Sequence, residues 1–180
     1  MTCHIPKGWH YPLPPSTWLS RNKNEFAQEV TFYDSCRYDL GTVDQGDTNK
    51  LFGFAYLRSI YRPAGVKWWQ LWNYQHGESA RFGWRYIIET SMWELSAYCH
   101  VNRQSVIIPI CSVPVRTGYI TQIVIEDGHY IFRVYRNMYR VGGCSVAFTH
   151  GLKWQAQLGP YFGGNRKAPH RMKIRLWEIW

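Results

Sequence analysis

Arg81 and Arg85 flank Phe82-Gly83-Trp84, and Tyr98 and His100 flank Cys99. Residues at even spacing fall on one side of an extended chain. If the two segments pair as neighbouring strands, two guanidiniums, a phenol and an imidazole share one surface. A guanidinium grips a carboxylate or sulfate through two parallel hydrogen bonds, and an aromatic ring stacks on a sugar. That combination suits an acidic carbohydrate. The competing arrangements are a cross-strand ladder of solvated residues, or arginines paired with Glu89 and Glu94 across the strands.

A second group lies in Leu158–His170, LGPYFGGNRKAPH. Gly163-Gly164 suits positive φ and close chain approach, and Pro169 confines Ala168 to extended geometry. These are the requirements of a corner before a strand. Tyr161, Asn165, Arg166 and His170 are the side chains that such a corner would offer to a ligand. A third group, Asp44, Asp47 and Asn49 around Gly46, supplies three oxygen donors of the kind that calcium takes. It lacks the closing Glu of an EF-hand, and the same residues make ordinary Asx turns. The expectation is therefore no cofactor, with calcium as the alternative.

Other chemistries find little to work with. Glycoside hydrolysis needs two carboxylates flanking the bond, and Glu25/Glu29, Glu89/Glu94 and Glu126/Asp127 do not form a paired pattern on a core strand. There is no G-x-S-x-G, and Cys99 and His100 point to opposite faces of a strand. The seven His show no H-x-H or H-E-x-x-H spacing. Five Cys, widely spaced and without a CxxC, suggest buried thiols and assembly in a reducing cytoplasm. The first residues contain no apolar signal-peptide core, so a virion or surface location would need another route, and the compartment stays open. No run of about 18 apolar residues predicts a membrane span.

The elements that must position these residues are strands. Of the 180 residues 17% are aromatic, which favours pleated, half-buried surfaces. Period-2 alternation marks Phe26–Phe32, Ala80–Tyr86, Glu94–His100 and Met172–Leu176, and Leu51–Leu57 is an apolar run with Gly53 at a bulge. Further runs are Ser105–Ile110, closed by Pro109, then Tyr119–Glu126, His129–Tyr135, Met138–Val141 and Trp154–Leu158. Asp127-Gly128 signals a two-residue hairpin, and a tight reversal falls near Arg136-Asn137. With no long 3.6-period segment, the pattern predicts an all-β, two-sheet antiparallel sandwich over 25–180. Residues 1–24, with Pro6, Pro12, Pro14 and Pro15, read as an extended Pro/aromatic arm. Lys67–Tyr74 reads as a loop or strand inserted between core strands.

The run Gly128–Val141, GHYIFRVYRNMYRV, resembles the hairpin of concanavalin A-like and laminin G-like jelly rolls. YFGGN followed by APHRMKIRL is similar to their closing loop and last strand. The resemblance implies a jelly-roll sandwich, a fold that hosts lectins, glycan-cleaving enzymes, adhesion modules and virion parts. Against the jelly-roll polysaccharide lyases, Arg81-Phe82-Gly83-Trp84-Arg85 lacks the carboxylate of an Arg-Ser-Glu-Leu-Arg pattern. Gln122-Ile123-Val124 lacks the His of Gln-Ile-His, and Tyr161-Phe162-Gly163-Gly164 keeps the aromatics and a glycine of Tyr-Phe-Lys-Ala-Gly.

The formal charge of +9 favours acidic partners, but the cations are scattered singly or in pairs, as in Arg133/Arg136/Arg140 and Arg171/Lys173/Arg175. That argues against a nucleic-acid-binding tail. The sequence thus predicts a non-catalytic binding module for acidic carbohydrate. The alternative is a structural subunit of a virion or surface assembly, with Trp9, Trp18, Trp68, Trp69 and Trp72 buried against neighbouring chains. The third reading is an enzyme, a polysaccharide lyase or glycosidase.

Overall fold

The structure, a computed structural model, describes residues 2–13, 17–21, 23–57 and 77–179. Trp68, Trp69, Trp72 and the Lys67–Tyr74 segment lie outside the described residues, and so does the Trp18 side chain.

Alternation translates directly into layers. The strands are β1 (Thr2–Ile5), β2 (Thr17–Arg21), β3 (Glu25–Phe32), β4 (Asn49–Tyr56), β5 (Ser79–Ile87) and β6 (Met92–Val101). Then follow β7 (Gln104–Val113), β8 (Tyr119–Glu126), β9 (His129–Arg136), β10 (Tyr139–Ala147), β11 (Trp154–Leu158) and β12 (Met172–Glu178). They form two six-stranded antiparallel sheets, one in the order β1-β12-β3-β8-β9-β10 and one in the order β2-β11-β4-β5-β6-β7. This is the all-β, two-sheet antiparallel sandwich that the alternation predicts, in the jelly-roll form that the resemblance implies.

The inward side chains of the two sheets interdigitate as a core dominated by rings. Phe26 of β3 stacks on Phe54 of β4 with centroids 4.5 Å apart, and Phe82 of β5 meets Phe132 of β9 edge-on at 5.1 Å. Phe32 of β3 lies parallel to Trp93 of β6 at 5.6 Å. Each pair bridges the two layers. Truncating one such buried ring costs about 3–5 kcal/mol.

Turn chemistry sets the register. Asp127 and Gly128 both have positive φ, 47° and 71°, as a two-residue hairpin loop requires. The next reversal sits on Asn137 and Met138 (φ 48° and 69°), one residue later than the sequence suggests. β7 runs through Pro109 instead of closing there, with a register shift opposite Leu95/Ser96. Because β7 is an edge strand, a residue with no N–H is tolerated. The N-terminal segment is more than an arm, because β1 pairs with β12 and β2 with β11, giving each sheet an edge strand. All five Cys are free thiols, and burial pushes Cys36 up to about 12. Among the described residues no helix is long and apolar enough to cross a membrane.

Candidate functional site

β5 and β6 pair in the register that sets Arg81 opposite Tyr98, Ser79 opposite His100 and Arg85 opposite Glu94. β7 extends the row by setting Ile107 opposite Tyr98. Because Ala80, Phe82, Ala97 and Cys99 are fully buried in the core, these partners stand on the outer face of the sheet.

On the other flank of β5 the chain of β4 is bulged. Register shifts between Lys50 and Gly53, and Gly53 takes φ 152°. A Cβ there would lie 2.2 Å from the Ala80 carbonyl oxygen and 2.5 Å from the Arg81 Cα. Only glycine lets the backbone close so tightly beside Arg81. The bulge also sets the phase that puts Lys50 on the outer face. Lys50 exchanges both backbone hydrogen bonds with Tyr161 (2.8 and 2.9 Å), fixing that ring at its side.

The N-terminal segment supplies the far wall. Phe162 N–H donates to the His10 carbonyl at 2.8 Å, and His10 Nδ1 lies 2.8 Å from the Phe162 carbonyl oxygen, which it meets as a donor. Gly8 and Ala168 continue this tie. The His10 ring stacks on Tyr161 at 5.0 Å and 9°, and Tyr11 meets Tyr161 edge-on at 5.0 Å.

The result is a polar row across the strands: Tyr11, Tyr161, Lys50, Arg81 and Tyr98, with His100 beside Tyr98 at 5.3 Å. Arg81 Nη2 donates to the Gly159 carbonyl at 2.6 Å, while its Nε is buried without a hydrogen-bond partner. Lys50 Nζ lies 4.6 Å from the Tyr98 ring centroid and 5.4 Å from that of Tyr161. Burial, and then the Arg81 charge, bring Lys50 down to about 8 against the opposing pull of Asp47. Burial lowers Arg81 too, yet it stays a cation at neutral pH. Burial, then Lys50 and Arg81, hold His100 below its ordinary range, while its Nδ1 lies 3.2 Å from Ser79 Oγ. Burial raises the Tyr98 and Tyr161 phenols, with Arg81 pulling the other way.

Of the residues singled out from sequence, Arg81, Tyr98, His100 and Tyr161 therefore come together. Arg85 does not join them as a free cation. Its Nε is 2.9 Å from Glu94 Oε1 and its Nη2 donates to Glu94 Oε2 at 3.1 Å, the cross-strand pairing that was one competing arrangement. Arg166 is tied to Asp44 at 2.8 Å, His170 Nε2 lies 3.0 Å from the Ser35 carbonyl oxygen, and Asn165 is exposed. Asn49 is buried, donating to Tyr38 Oη at 2.9 Å and accepting from the Gly163 N–H. Asp44 thus faces Arg166, Asn49 faces the core, and Asp47 lies toward Lys50. Among the described residues no group of three or more His, Cys, Asp or Glu could hold a metal. Trp9 is half exposed on the segment tied to Ala168. Gln122, compared above with the lyase pattern, lies on the other sheet and donates to Glu25 at 2.7 Å.

Lys50, Tyr11 and His10 were not foreseen. The readable signal for Lys50 was Gly53, because a bulge reverses the phase of the alternation before it. Nothing local places Tyr11 and His10.

No family model and no curated protein matches this sequence. A functionally unknown protein from Saccharomyces cerevisiae superposes with a TM-score of 0.55 at 9% identity, over 99% of this chain and 84% of its own. The alginate lyase from Klebsiella pneumoniae superposes with a TM-score of 0.52 at 9% identity, over 89% of this chain and 57% of its own. The carbohydrate binding module CBM66 from Bacillus subtilis overlays more loosely, with a TM-score of 0.38 at 8% identity over 98% of this chain and 92% of its own. At such identities the likeness to the yeast protein and to the alginate lyase is one of fold alone.

Proposed function

We propose that this protein binds an acidic polysaccharide across the outer face of β4, β5 and β6. The observation that carries the reading is Arg81: a cation whose Nε is buried and unpartnered, set beside Lys50, and ringed by Tyr11, Tyr98 and Tyr161. Two adjacent cations without a carboxylate salt-bridge partner among the described residues repel each other, and an incoming carboxylate or sulfate would relieve that repulsion. The guanidinium offers a directional fork to such a group, and the phenols offer stacking surface and hydroxyls to the ring that carries it. His10 and Tyr11 make the end wall, so the N-terminal segment belongs to the site.

The test is titration calorimetry with uronate and neutral oligosaccharides at low and high salt. Binding of the uronate alone, weakened at least about tenfold in Arg81→Met, supports the reading. Equal binding of neutral and acidic sugars, or equal binding by Arg81→Met, refutes it.

Lys50 favours a second reading, elimination at a uronate. An amine near 8 holds a useful neutral fraction at neutral pH. It could take the proton α to a carboxylate neutralised by Arg81, while Tyr161 protonates the departing glycosidic oxygen and the ring gains a double bond. Ultraviolet absorbance of the unsaturated uronate during incubation is the readout. A flat trace with a binding-competent protein leaves the non-catalytic module. An assembly role rests mainly on tryptophans outside the described residues, and size-exclusion chromatography tests it.

A further inference from the structure

The last strand carries a second charged surface. Met172, Ile174 and Leu176 are buried, so alternation turns Arg171, Lys173, Arg175 and Trp177 to the outer face of the other sheet. Along the strand, alternate residues such as Lys173 and Arg175 have Cα atoms about 6.8 Å apart, two residue rises of an antiparallel strand.

None of the three cations has a salt-bridge partner among the described residues. The acids nearby are engaged elsewhere: Asp34 binds Arg37 and Arg116, and Glu178 binds Lys23. Glu29, opposite Trp177 on β3, shares this face at the Trp177 end, with its Oε1 turned toward Gly118 and no salt bridge to the three cations. On the other flank, β1 sets His4 opposite Lys173. His4 Nδ1 is buried with no hydrogen-bond partner. Burial, then the Arg171 and Lys173 charges, hold that imidazole below its ordinary range. Three uncompensated like charges and an orphaned ring nitrogen cost stability in the free protein, and an anionic ligand would offset that cost.

We infer that the outer face of β12, with His4 of β1 and Trp177, is a second polyanion-binding strip that fits a densely sulfated linear glycan. The ring count favours a glycan over single-stranded nucleic acid. Trp177 is 58% exposed with Arg175 Cζ 6.0 Å from its ring centroid, and Tyr33 is covered more closely by Lys173 Nζ at 4.3 Å, so successive bases would find at most one stacking platform where such sites supply several. One ring at the end of a row of charges suits a chain gripped through its acid groups, with a single sugar on the indole. The strip shares no residue with the Arg81 row, so either surface can fail without the other.

The experiment uses the full chain and a fluorescent heparin hexasaccharide, read by anisotropy at low and high salt with oligo-dT as competitor. The expected result for Arg171→Gln/Lys173→Gln/Arg175→Gln is an affinity loss of about tenfold or more and a flatter salt dependence. Arg81→Met should retain that component. The double variant Arg171→Gln/Arg175→Gln, which leaves the Lys173–Tyr33 contact in place, should lose several-fold and guards against misfolding of the triple. Absence of hexasaccharide binding by the wild type, unchanged binding by the folded variants, or stronger binding of oligo-dT would overturn the assignment.

Discussion

Replacing Lys50 by Met should make the protein more stable and a poorer binder. The folded state holds the Lys50 ammonium at about 8 against an ordinary value of 10.5. At about 1.4 kcal/mol per pH unit, that difference corresponds to about 3 kcal/mol of disfavoured charge. Allowing for the part of the side chain that still meets water lowers the expectation to about 2–3 kcal/mol. The sign follows from proton counting. Below about pH 8 both folded and unfolded chains hold the proton, and the cost is present in full. Between about 8 and 10.5 the unfolded chain holds one proton more, so this group's contribution to stability improves as pH rises. Lys50→Met should therefore gain about 2–3 kcal/mol at neutral pH, a shift of about 1 M in the urea midpoint, and the gap should close toward pH 10.5. Its affinity for a uronate oligosaccharide should fall about tenfold or more. Urea melts at several pH values, paired with calorimetry, read both quantities. A variant less stable than wild type at neutral pH, or a gap that does not close with alkali, would refute the account of Lys50 as a charge held at a cost for binding.

Three further outcomes are expected. Gly53→Ala should destabilise by about 2–4 kcal/mol in thermal melts, because its Cβ would fall on the Ala80 carbonyl at a φ that L residues avoid. Asn49→Ala should cost about 1–3 kcal/mol, since it strips the Gly163 N–H and Tyr38 Oη of a buried partner, and should weaken ligand binding by loosening the Tyr161 loop. Burial holds His150 below 6.5 within 2.6 Å of Tyr130 Oη and 3.6 Å of Glu78 Oε2. The unfolded chain therefore takes up that proton first, stability falls as pH drops below about 6.5, and His150→Phe should flatten the acid limb of a urea-midpoint profile.

The sandwich was legible because its strands alternate strictly where one face is buried. In β5, β6 and the start of β12, nearly every second residue is a ring or an aliphatic, and the Asp127-Gly128 turn could be placed to the residue. Pro109 misled, because whether a proline ends a strand depends on whether that strand lies at an edge, which is a property of the sheet. The grouping of the candidate residues was half legible. Arg81, Tyr98, His100 and Tyr161 declare themselves by type and spacing, but the fate of Arg85 turned on the register that brought Glu94 opposite it. Lys50 was hidden by a one-residue irregularity, and Tyr11 by a contact with Tyr161 from far along the chain. Periodicity reports which face a residue takes and carries no information on which distant segment crosses that face.

The tie between the first strand and the last has a kinetic consequence. Thr2 pairs with Arg175 and Gly8 with Ala168, so two of the loops closed on folding span nearly the entire sequence. Such closures reward the chain only after their entropy has been spent, which predicts slow refolding in which this seam zips late. Arg81 and Tyr98 are aligned by the local β5–β6 pairing, whereas the wall carrying Tyr11 needs the segment around Ala168 to dock. On the proposed reading, affinity for a uronate chain would then be acquired late in refolding, when this seam closes.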